Sequence, residues 1–65
     1  MNLNKNLLWW LTHHYPIHLE SNPDPIAMSE LLRKGLIVEK RDWITNKPIY
    51  YRTEKGEKVN ARQRS

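Results

Sequence analysis

Along the first residues, Leu3, Leu7, Trp10, Leu11 and His14 recur at spacings of three and four. That is one face of an amphipathic helix over about 3–14, with Asn2 as its cap. Leu8 and Trp9 fall partly outside this stripe. Pro16 ends the helix, because it pushes Tyr15 toward extended geometry. Ile17-His18-Leu19 alternates apolar, polar, apolar and predicts a very short strand with Ile17 and Leu19 on one face. Ser21 to Pro25 is a turn that also starts a helix, with Asp24 as cap and Pro25 at the first helical position. This helix is expected to run to about Lys34, burying Ile26, Ala27, Leu31 and Leu32 with Met28 beside them, and Gly35 is its left-handed stop. Residues 36–41 then read as a strand, 42–47 as a turn region and 49–53 as a returning strand. Pro48 can open that strand but could not sit inside it. Thr53 caps a last helix from Glu54 to about Arg62, and residues 62–65 are expected to fray.

The order is helix, short strand, helix, hairpin, helix: an α+β class. The expected core is Leu3, Leu7, Trp10, Leu11, Ile17, Leu19, Ala27, Leu31, Leu32, Leu36, Val38, Ile49, Tyr51 and Val59. At 65 residues the chain is one domain, 1–65, with 38% apolar residues, enough for one thin core. So short a chain rarely builds a catalytic cleft, and no Gly-rich phosphate loop or nucleophile elbow is present, which argues against an enzyme, a cofactor or a small-molecule substrate. Glu54 and Glu57 share one helical turn and read as dipole and solubility charges. Cysteine is absent, which removes disulfides, thiolate zinc sites and a cysteine nucleophile. His13, His14 and His18 lie close together, but Pro16 separates them and zinc needs three or four ligands, so no metal site is expected. The apolar run Leu7 to Leu11 is too short to span a membrane, and no cleavage site follows it. A soluble, cytoplasmic protein with no membrane partner is the expectation.

Charge changes the picture more. Residues 1–32 carry a net −2 and residues 33–65 a net +6. Such asymmetry points to a polyanion for the C-terminal half, nucleic acid being the commonest. The plainer alternative is a solvated basic surface that serves solubility.

Two stretches carry a family likeness. Leu32-Arg33-Lys34-Gly35-Leu36-Ile37 is followed by a hairpin and then by Tyr51, Thr53 and Gly56. Together they resemble the back half of a winged-helix domain of the MarR-like type, covering residues 17–19 and about 26–59. There a recognition helix ends in a leucine, a basic pair and glycine, a two-stranded wing follows, and a Tyr-x-Leu-Thr-x-x-Gly segment enters the next helix. The resemblance implies a small winged-helix-like domain that binds DNA. Two departures stand out. Arg52 occupies a position that is usually apolar, and only Glu20 to Asp24 separate the first strand from the recognition helix. The likeness is therefore to a minimal form that lacks one helix of the helix-turn-helix.

That shifts the expected contact from the helix to the wing. Of the outward positions on the second helix only Arg33 carries a guanine-reading fork, and Glu30 would repel phosphate. Lys40, Arg41, Lys47 and Arg52 lie on or beside the hairpin, and Lys55, Lys58 and Arg62 follow on the last helix. These suit phosphate contacts that position the protein without reading sequence. Trp43 and Ile44 sit at the hairpin tip, where Trp43 either stacks on a base or folds back as core. Trp9 and Trp10 point about 100° apart on a helix, so one, Trp9, is expected exposed, as a contact for a partner or for a second copy in a homodimer. Two functions remain open. One is a regulator or accessory factor that holds the DNA backbone through its basic wing and C-terminal helix. The other is a protein-binding module, such as a phage- or mobile-element-type inhibitor of a host protein, anchored by Trp9, Trp43 or Ile44.

Overall fold

A computed structural model describes residues 3–64, with the Arg64 side chain left out of the description. The chain forms α1 (Lys5–Leu11), β1 (Ile17–His18), a 3-10 turn (Leu19–Ser21), α2 (Pro25–Arg33), β2 (Ile37–Arg41), β3 (Pro48–Arg52) and α3 (Glu54–Arg64). It is a small α+β domain with three helices and a three-stranded antiparallel sheet in the order β1-β3-β2.

Each helix begins where a side chain can take up an orphan N–H group. Asn4 Oδ1 accepts from Leu7 N–H at 2.8 Å, so α1 starts at Lys5, and the cap expected at Asn2 falls outside the described residues. The helix closes at Leu11, well before Pro16: Thr12 N–H still donates to the Leu8 carbonyl at 2.9 Å, but His13 N–H turns to the nearer Trp10 carbonyl at 3.3 Å. His14 is thus outside the helix. Asp24 Oδ1 accepts from Ile26 N–H at 3.1 Å, and its Oδ2 accepts from Asn6 Nδ2 at 2.8 Å, tying the starts of α1 and α2 together. The α3 helix continues through Arg64, past the expected fray.

The core lies between α1, α2 and one face of the sheet. Leu7, Trp10, Leu11, Ile17, Ala27, Met28, Leu31, Leu36 and Ile37 are buried, with Leu3, Tyr15, Leu32, Tyr50 and Val59 packed against them. The expected core is corrected at three places. On α2 the buried side is Ala27, Met28 and Leu31, while Ile26 is 74% exposed. Ile26 and Met28 stand about 200° apart on a helix, so one face cannot bury both. Leu19 enters the 3-10 turn instead of extending β1 and stays 41% exposed.

The third correction is a change of face along the hairpin. Helix α2 ends in a Schellman motif. Gly35, at φ +75°, donates to the Leu32 carbonyl, and Leu36 N–H donates to the Leu31 carbonyl, both at 3.0 Å. The motif buries Leu36 against the helix end, and the strand proper starts with Ile37 facing inward. Alternation then turns Val38 and Lys40 outward, and the pairing of Ile17 with Tyr50 and of Tyr50 with Glu39 turns Tyr50 inward and Ile49 and Tyr51 outward. Pro48 begins β3 beyond the last residue that pairs with β1, where no N–H is required.

Tyr15 fastens the loop after α1. Its hydroxyl donates to the Trp10 carbonyl at 2.8 Å, and its ring lies 4.8 Å from the Arg52 guanidinium carbon. Burial pushes its hydroxyl up to about 12, against a smaller opposing effect of Arg52. A phenol whose pKa is higher when folded supports the fold below its ordinary value of 10.0 and loses that support as pH rises toward about 12. Circular dichroism melts should therefore fall in temperature across that window, and Tyr15→Phe should flatten the fall. A tyrosinate absorbance already complete near pH ~10 with the fold intact contradicts this.

Candidate functional site

Two groups of cations stand on the surface, built on different elements. The first is the hairpin. Its turn is closed by Asp42 N–H donating to the Lys47 carbonyl at 2.9 Å and by Asn46 N–H donating to the Asp42 carbonyl at 2.7 Å. The Asp42 carboxylate accepts from Ile44 N–H at 2.9 Å, and Arg41 Nη1 donates to the Asn46 carbonyl at 2.8 Å. Asn46 takes up φ 58°, a left-handed conformation that asparagine tolerates. The tip is thus fixed by its own hydrogen bonds and needs no packing from the body.

What the tip displays is apolar. Trp43 is 90% exposed and Ile44 74% exposed, so Trp43 does not fold back as core. Lys40 and Arg41 precede them on β2 and Lys47 follows. Lys40 Nζ lies 5.6 Å from the centroid of the Tyr51 ring on the outer sheet face. Lys47 Nζ is 4.0 Å from a Glu20 oxygen of the 3-10 turn. Behind the tip, burial, with help from the Glu39 carboxylate, holds the Tyr50 hydroxyl above its ordinary pKa.

The second group is on α3. Lys55, Lys58 and Arg62 lie at spacings of three and four, within about 60° of one another around the helix axis. Lys55 Nζ donates to the Lys34 carbonyl at 3.2 Å, which brings the basic end of α2 beside this stripe. Lys58 Nζ lies 3.7 Å from Glu54, an exposed pair that leaves its charge in solvent. Arg33 pairs with Glu30 on α2.

Arg52 is separate from both groups. Its side chain is 15% exposed and pairs with Glu57. Its Nη1 donates to the Leu11 carbonyl at 2.8 Å and to the His13 carbonyl at 3.3 Å. It faces the core beside Ile37 and ties α1, β3 and α3 together, so the guanidinium expected at a phosphate is engaged within the protein.

Trp9 is 57% exposed and meets Trp10 edge-on, with ring centroids 4.7 Å apart. The ring of His13 lies 4.9 Å from Trp9. Among the described residues no helix is long and apolar enough to cross a membrane, and no group of three or more histidine and carboxylate side chains converges. Compared with protein-family models, with curated proteins and with solved structures, the chain matches none.

Proposed function

We propose that this protein is a minimal winged-helix-like DNA-binding module that holds the DNA backbone through its hairpin and its last helix. The order β1-β3-β2, with a hairpin directly after α2, fits that family's frame. The 3-10 turn Leu19–Ser21 stands where the missing helix would be. The observation that carries the reading is the placement of six cations, Lys40, Arg41 and Lys47 on the hairpin and Lys55, Lys58 and Arg62 on one stripe of α3. Of the nearby acids, Glu57 pairs with Arg52 and Asp42 accepts from the tip backbone, while Glu54 and Glu20 lie against Lys58 and Lys47 as exposed pairs that leave those charges in solvent. Contacts of this kind fix the protein on a duplex without reading its sequence.

The test is fluorescence anisotropy with a short matched duplex over a range of salt. Affinity should fall steeply as salt rises. Replacing Lys40, Lys47 and Lys58 together with alanine should lower the salt slope by about 3, since each phosphate contact contributes about 0.9. Equal weakening on unrelated sequences is expected, because the lost contacts are to phosphate. No binding at low salt refutes the reading.

A second reading has an observation of its own. Trp9 on α1, Leu19 on the 3-10 turn and Ile26 on α2 are exposed at 57%, 41% and 74%. A module that docks onto a protein through α1 and the start of α2 would use them.

A further inference from the structure

We propose that the hairpin tip takes an unpaired base, with Trp43 stacking on it while Lys40 and Lys47 hold the phosphates of the adjoining duplex. This rests on the DNA-binding reading and names the form of DNA that the same surface prefers. Three observations carry it. Trp43 and Ile44 are neighbours and expose 90% and 74% of their surface. The loop that holds them is fixed by hydrogen bonds from Asp42, Asn46 and Arg41, so little further ordering is lost when a ligand arrives. Cations flank the pair on both sides in the chain, Lys40 and Arg41 at the end of β2 and Lys47 in the loop, so a polyanion meets charge first and the indole second.

An indole offers every base a face to stack on, whatever its identity. Breaking an intact base step costs more than one stacking contact returns. A single tryptophan therefore does not open a matched duplex. A bulged, mismatched or frayed base has already met that cost, and there the indole adds its full contact. Ile44 beside it would cover the sugar of the same nucleotide. The module would thus be general for sequence and selective for damage or distortion.

The experiment compares a matched duplex with one that carries a single unpaired 2-aminopurine, using the full chain. Binding to the bulged duplex should be about 5- to 150-fold tighter, the range of one base–aromatic stack. The 2-aminopurine emission should be quenched on binding. Trp43→Ala should abolish both the preference and the quenching, so that the bulged duplex binds no tighter than the matched one, while Trp43→Phe keeps part of each. Because Trp43 is 90% exposed, the alanine variant is expected to melt with the parent, and a melt by circular dichroism checks this. Salt-dependent binding that is equal on both duplexes overturns the stacking proposal and leaves the DNA reading intact. No binding to either overturns both. Binding to anionic vesicles with a blue-shifted Trp43, and no preference for the bulge, overturns the proposal in favour of a membrane surface.

Discussion

Gly56→Ala is expected to destabilise the domain by about 3 kcal/mol, although the change strengthens helix propensity by nearly 1 kcal/mol. A Cβ at Gly56 would sit 2.0 Å from the Leu36 carbonyl oxygen and 3.0 Å from its carbon. Both are backbone atoms, so no rotamer change relieves the clash. They also belong to a junction that joins three elements. Thr53 N–H donates to that same Leu36 carbonyl at 3.0 Å, and the Thr53 hydroxyl donates to the Gly35 carbonyl at 2.7 Å while accepting from Gly56 N–H at 3.1 Å. Moving α3 away breaks this set together. A domain of this length has only about 3–10 kcal/mol in all. The melting temperature should therefore fall by about 12–24 °C. Ala61→Gly, at an exposed position of the same helix, is the control and should lose about 1 kcal/mol. A Gly56→Ala variant that melts at or above the parent would sink the argument.

The second large effect belongs to Arg52. Arg52→Met keeps the apolar stem and removes the guanidinium, and a loss of about 2–3 kcal/mol is expected. Two carbonyls at the end of α1, those of Leu11 and His13, lose their donor, and Glu57 loses its partner. The Tyr15 ring loses the cation beside it. Arg52→Lys should recover only part, because an ammonium cannot reach two carbonyls and a carboxylate with one fixed fork. Chemical denaturation of the three proteins measures this. A methionine variant as stable as the parent would mean that the stem alone ties the elements together.

Much of the fold was legible because short-range chemistry decided it. Asp24-Pro25, Gly35 and Thr53 each mark a helix boundary through a single local hydrogen bond or a single φ, and the structure uses all three as expected. Face and register were less legible. Leu36 and Ile37 are both buried because a Schellman turn consumes the first and the sheet begins at the second, and no alternation rule describes two partners in succession. The inward turn of Arg52 was hidden for a similar reason: its acceptors lie 39 and 41 residues away, on a helix end that sequence spacing does not bring near. At the candidate site, composition located the cations and the tip. It could not decide whether Trp43 packs or protrudes, because that depends on how tightly Asp42 and Asn46 close the loop.

The sheet order leaves β2 at an open edge. The bonds from Asp42 to Lys47 and from Thr53 to Leu36 set the ladder on even-numbered residues of β2, so Ile37, Glu39 and Arg41 turn their backbone groups outward. Such an edge is a template on which a second chain can add a strand. Here it is guarded by consecutive charges, Glu39, Lys40 and Arg41. The β2 cations proposed to meet phosphate thus also guard the edge against self-assembly, and neutralising them would raise the risk of fibrils. Lys47 and Trp43, in the loop beyond the ladder, can be changed without touching that guard.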